Sequence, residues 1–161
     1  MPIDHLVKPG VGLGPLRLGM SMDEVRALLG EPPIISQSTK DEDGYDDLAW
    51  VYEEHDLELT FDEDFDSRLH SIETEHEHAT LEGVAFIGMS DEEFLEATFG
   101  ALGKPTLDDH LGEGLVCYMW DEANMQVFTL RGSVISLVIM PLYDDAGEQP
   151  RWPDAPDAPQ A

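Results

Sequence analysis

Gly14-Pro-Leu-Arg-Leu-Gly-Met-Ser-Met-Asp-Glu-Val25 returns further along the chain as Gly83-Val-Ala-Phe-Ile-Gly-Met-Ser-Asp-Glu-Glu-Phe94. Gly-Met-Ser is identical in the two stretches, and the pairs Leu18/Ile87 and Val25/Phe94 keep their apolar character. Internal self-similarity marks a duplicated supersecondary unit, so this pair decides how the rest of the chain is read. The likeness continues in Gly30-Glu-Pro32 and Gly103-Lys-Pro105, the second displaced by about one helical turn, which leaves a buried helix face where it was.

Each copy carries its own start and stop signals for a helix. Ser21 with Glu24, and Ser90 with Glu93, are S-x-x-E capping boxes. Asp23, Glu24, Asp91, Glu92 and Glu93 place negative charge at the positive end of the helix dipole. Met22, Val25, Leu28 and Leu29 mark one face of the first helix; Phe94, Leu95, Thr98 and Leu102 mark one face of the second. Gly30 and Gly103 stand where a left-handed residue ends a helix, each with proline two residues on.

Three strands are expected after each helix. In the first copy they are Leu48 to Glu53, Leu57 to Asp62 and Arg68 to Glu73; in the second, Leu115 to Trp120, Asn124 to Leu130 and Val134 to Met140. Leu57, Leu59 and Phe61 alternate most cleanly. Apolar pieces before each helix, Leu16 to Leu18 and Val84 to Ile87, are candidates for a further strand. The expected fold is α+β: two tandem helix-plus-antiparallel-sheet repeats, residues 1–78 and 79–146, with the helices on one face and sheets able to join into one. Ser36 to Asp47 reads as a polar acidic loop, and 147–161, with Pro150, Pro153, Pro156 and Pro159, as a disordered, solvated tail.

Composition bounds function more than it names it. The 161 residues include 8 Lys plus Arg against 35 Asp plus Glu, a net charge of −27, while 42% hydrophobic content supports a real core. Counterion release at nucleic acid and attraction to anionic lipid both need Lys and Arg on the protein, so neither is an expected partner. No apolar run reaches membrane-spanning length, and the N-terminus lacks the apolar stretch of a signal peptide. With a single cysteine, Cys117, the expected location is the cytoplasm.

The pattern Leu18-Gly-Met-Ser, then Asp-Glu-Val, an apolar helix, Gly-Glu-Pro and strands resembles the β-lactamase-inhibitor-protein-like superfamily, which includes small outer-membrane assembly lipoproteins of the SmpA/OmlA type. The resemblance runs from about Gly10 to Tyr143, and the tandem arrangement is similar to the inhibitor's own. What it implies is a binding protein that offers a sheet surface to a partner.

Several motifs have both a functional and a plain structural account. Asp62, Asp64, Asp66 and Glu73 hold positions 1, 3, 5 and 12 of a calcium loop, but Ser67 stands where the turn needs glycine, and a β-hairpin fits better. His76 and His78 put two imidazoles near Glu75 and Glu77, with His70 and His110 as distant candidate ligands; a solvated linker joining the two units is the better account. Cys117 sits among apolar residues and lacks the cationic neighbours of a reactive thiolate. No nucleophile elbow, phosphate loop, dinucleotide fingerprint or H-E-x-x-H motif is present, so no catalytic residue, metal or cofactor is expected.

The aromatic strands leave two arrangements open. Trp50 and Tyr52 share one side of their strand, as Tyr118 and Trp120 do of theirs, with Ala49, Val51, Cys117 and Met119 opposite. Either the aromatics pack under the helices, or the smaller side does and the aromatics meet a partner in an acidic field. On the second arrangement the partner-binding residues are Trp50, Tyr52, Glu54, Glu58, Tyr118, Trp120, Asp121 and Glu122. The expected function is then a non-catalytic inhibitor or immunity protein neutralising a basic protein such as a nuclease toxin, a DNA mimic being a close variant. The alternatives are an orphan or scaffold domain of an acid-rich, saline cytoplasm, and a small metal-dependent module using His76 and His78.

Overall fold

Ser21 and Ser90 begin the two helices. In the computed structural model, which describes residues 3–37, 47–62 and 66–153, α1 is Met22–Leu29 and α2 is Asp91–Leu102. The Ser21 box is fully reciprocal: its hydroxyl accepts from the Glu24 N–H at 3.2 Å and the Glu24 carboxylate accepts from the Ser21 N–H at 3.1 Å. In the second copy the Ser90 hydroxyl accepts from the Glu93 N–H and itself donates to the Glu93 carboxylate. Gly30 (φ 84, ψ −173) and Gly103 (φ 71, ψ −161) end the helices. These are not the left-handed helical angles expected, but an extended conformation at positive φ that is still confined to glycine.

Before each helix the chain makes short strands: β1 (Leu6–Lys8), β2 (Gly12–Leu13) and β3 (Leu16–Arg17) in the first half, β8 (Thr80–Leu81) and β9 (Val84–Ala85) in the second. They form one sheet in the order β3-β2-β1-β8-β9, where β1 and β8 run parallel and tie the N-terminus to the start of the second half. After the helices come β4 (Ile34–Gln37), β5 (Asp47–Tyr52), β6 (Leu57–Asp62) and β7 (Arg68–Thr74), then β10 (Leu107–Gly112), β11 (Leu115–Trp120), β12 (Met125–Leu130) and β13 (Ser133–Ile139). These eight make an antiparallel sheet in the order β10-β11-β12-β13-β7-β6-β5-β4. The protein is thus a mixed, strand-rich α and β fold dominated by antiparallel pairing.

Among the described residues, four strands of the large sheet follow each helix, not three. The additional ones, β4 and β10, are the sheet's outermost members, and their exposed side chains give no burial pattern to read. Ser36 and Gln37 belong to β4 and Asp47 to β5, while 38–46 lie outside the described residues. The calcium-loop candidate is a hairpin in which Asp62 pairs with Arg68; its residues 63–65 also lie outside the described set.

The start of the expected tail is packed. Strand β14 (Leu142–Tyr143) pairs with β15 (Pro150–Arg151), and Trp152 lies against the core, with its ring so close to Gly19 that a Cβ there would meet it at 3.0 Å. Composition suggested an extended chain with no means of packing; one tryptophan supplies the apolar area that changes this for residues up to 153.

Candidate functional site

The strand register assigns every side chain of the large sheet to a face, because a strand's residues alternate. One row runs Trp50, Leu59, Ile72, Ile139, Met125, Trp120 across six strands, and all six are buried. The next row on that face carries Tyr52, Leu57, Thr74, Leu137, Val127 and Tyr118. Between them on the opposite face lies a row crossing all eight strands: Ile34, Val51, Glu58, Glu73, Val138, Gln126, Met119 and Leu107. Every member is partly or fully exposed, and only two neighbours, Glu58 and Glu73, are charged.

This settles the aromatic question against an exposed strip. Trp50 and Tyr52 are each 1% exposed and Trp120 3%. Tyr52 donates its hydroxyl to the Gly30 carbonyl at 2.8 Å, and Arg26 of α1 lies over the Trp50 ring at 4.8 Å. In the second half Trp120 Nε1 donates to the Gly103 carbonyl at 3.2 Å, and Tyr118, on the same side, donates to Asp91 at 2.7 Å. Burial first, then the nearby carboxylates Glu31 and Asp91 respectively, push both phenols up to about 12, so each stays a donor. These rings lie on the helix side of the sheet, where Tyr52 and Trp120 tie off the carbonyls that end the two helices.

The acidic members of the expected site separate. Glu54 sits in the one-turn 3₁₀ segment Glu53–His55 between β5 and β6, and Asp121 and Glu122 lie in the turn between β11 and β12. Because Tyr52 aligns with Tyr118 and Trp50 with Trp120, those turns project from opposite ends of the strands. Glu58 is the one acidic member that lies on a strand, on the face away from the aromatic side.

Glu58 has a companion that the sequence offered only as the last position of a calcium loop. Glu73 stands directly across from it on β7. Burial first, then the Glu58 charge, hold the Glu73 carboxyl above its ordinary 4.5; a hydrogen bond to Ser136 works the other way, and one shared with Glu58 raises it again. The pair borders a cleft of about 440 Å³ that Val51, Glu53, Asp56 and Glu75 also line. The signal lay in the alternation of Leu57, Leu59 and Phe61, which turns Glu58 outward.

The histidines also regroup. His76 stacks on His5, ring centroids 3.7 Å apart and planes 10° apart, with His55 at 6.3 Å from His5. His70 instead meets Tyr143 at 2.7 Å, and His110 lies on β10. Nitrogen lone pairs lie in the ring plane, so stacked imidazoles do not converge on one ion. Among the described residues no group of three or more His, Cys, Asp or Glu is disposed to hold a metal. His76 Nδ1 accepts the His78 N–H at 3.1 Å, while His5 Nδ1 is buried without a partner among the described residues. Burial, then His76 and His55, lower the His5 pKa from 6.5. Cys117 is buried, and burial with the Asp109 charge raises its thiol, which suits packing rather than nucleophilic attack.

No family model, characterised protein or solved structure matches this chain. Among the described residues no helix is long and apolar enough to cross a membrane.

Proposed function

We propose that the chain is a non-catalytic acidic binding protein of inhibitor or immunity type, which neutralises a basic protein through the sheet face bearing Glu58 and Glu73. The pairing of those two residues carries the reading. Like charges opposite each other on neighbouring strands destabilise a sheet, yet here they stand side by side in an otherwise uncharged row. A lysine or arginine entering from a partner would satisfy both through charge-assisted hydrogen bonds. Val51 and Val138, which flank the pair in the same row, supply the apolar surround that excludes water from such a contact.

The net charge of −27 would steer a cationic protein to this face. Nucleases are natural targets, since their active surfaces must be positive to hold phosphates. On this reading the two halves are a tandem repeat whose helices share the Trp50 and Trp120 side and leave the other side free, the use of a sheet that the resemblance to inhibitor-type proteins implies.

The test is affinity capture from the native host with the wild-type protein and with the E58Q/E73Q variant, eluted by salt. The expected result is one basic protein, released from the wild type by moderate salt and not held by the variant. Equal capture by both, or none by the wild type at low salt, refutes the reading.

A further inference from the structure

A second surface lies at the edge of the large sheet. Strand β10 pairs only with β11, and all six of its residues are exposed, so its outer backbone groups have no strand beside them among the described residues. Beside it, α2 and the segment leading into β10 border a groove of about 690 Å³ whose apolar walls include Leu95, Phe99, Pro105 and Leu107. Phe99 is 55% exposed and Leu107 52%. A phenylalanine on the solvent side of a helix does nothing for the core, and an open strand with apolar residues invites pairing.

We propose that this edge and groove together take an extended basic segment of a partner protein, which adds a strand to β10 and seats an apolar side chain against Phe99. The open edge selects extended backbone, since strand addition is read through main-chain hydrogen bonds. The groove selects one apolar anchor. Charge selects the flanks: Glu96 and Asp108 line the groove against one lysine, Lys104, and Asp109 follows on the strand, leaving acid in excess. The same charges exclude a second copy of this chain. Pairing of two β10 edges would bring Asp108 and Asp109 of both molecules into one short ladder, between molecules each carrying −27. The inference shares Leu107 with the outward row of the sheet but uses neither Glu58 nor Glu73, and it stands independently of that pair.

Three probes test it: a hexapeptide alternating arginine and leucine, its glutamate and leucine counterpart, and the basic peptide methylated on alternate backbone nitrogens. Binding is followed by fluorescence and mapped by amide hydrogen exchange. The basic peptide should bind and slow exchange along β10, and the other two should not. Phe99→Ala should weaken it about tenfold or more, and Leu107→Ser should weaken it too; both positions are exposed, so both variants should melt like the wild type. No binding by the basic peptide, undiminished binding to F99A, or equal binding of the acidic peptide overturns the proposal. Protection that appears around Glu58 and Glu73 instead of β10 also overturns it, while leaving the proposed function standing.

Discussion

Replacing Glu73 by glutamine removes one of two carboxylates that face each other across β6 and β7, and keeps an acceptor for Ser136. Burial and the Glu58 charge raise the Glu73 pKa on folding, so the folded state binds the proton more readily than the unfolded chain. Ionised Glu73 therefore opposes folding at pH 7, and that penalty fades as pH falls from its raised value to about 4.5. Relief of a directly opposed like-charge pair is worth about 0.2–1 kcal/mol. For a chain of this size that corresponds to a rise in Tm of roughly 0.5–4 °C. The assay is thermal unfolding followed by circular dichroism at low salt, at pH 7 and again at pH 4. E73Q should melt higher than wild type at pH 7, and the gain should vanish at pH 4, where both proteins are uncharged at this position. E58Q should show a similar gain, and the double variant less than the sum, because either change alone removes the repulsion. A lower Tm for E73Q at pH 7 would show that the Ser136 contact outweighs the repulsion. A gain unchanged at pH 4 would remove electrostatics as its cause. Stability gained together with partner binding lost is the signature of a group kept for function.

The His5 and His76 stack predicts acid sensitivity of the small sheet. Because folding lowers the His5 pKa, the unfolded chain takes up the proton first, so stability is complete above about 6.5 and declines as pH falls through that value; exchange of β1 and β8 amides should quicken there, and H5F should flatten the dependence. Tyr52→Phe removes the bond to the Gly30 carbonyl and should cost about 0.5–1.5 kcal/mol, read as a lower denaturation midpoint with an unchanged slope. Trp152→Ala should cost about 1–3 kcal/mol, because its ring covers Gly19 and stands 6.5 Å from His70; a melt identical to wild type would mean that the C-terminal strap only rests on the surface.

What the sequence revealed follows from where each signal is written. The helices were legible to the residue because Ser21, Glu24, Ser90, Glu93, Gly30 and Gly103 act locally. Strands β6 and β11 were legible because their limits are set by turns and apolar content. The edge strands were not, since an exposed strand such as Leu107–Gly112 needs no inward pattern. The histidine stack was illegible for another reason: His5, His55 and His76 come from three separate segments, joined only by tertiary contacts such as Thr80 N–H to His5 carbonyl. Trp152 was hidden by the prolines around it, which speak for extended backbone but not for where an aromatic ring comes to rest.

The orientation of the aromatic strands, left open in the sequence, was nonetheless contained in it. Leu57, Leu59 and Phe61 of β6 point to the core, so Glu58 points away. Four residues, Glu53 to Asp56, connect the strands, which makes Tyr52 the partner of Leu57 and Trp50 the partner of Leu59. Cross-strand partners share a face, so both rings must be buried. The second half obeys the same rule: four residues, Asp121 to Asn124, pair Trp120 with Met125, and the outward Gln126 then aligns with Met119. Propensity for interfaces drew attention to tryptophan and tyrosine; register, a stronger constraint, moves it to the opposite face. There the residues to explain are the two carboxylates that burial and mutual repulsion disfavour. A surface evolved for solubility alone has no need to place them opposite each other, and a surface that receives a cation does.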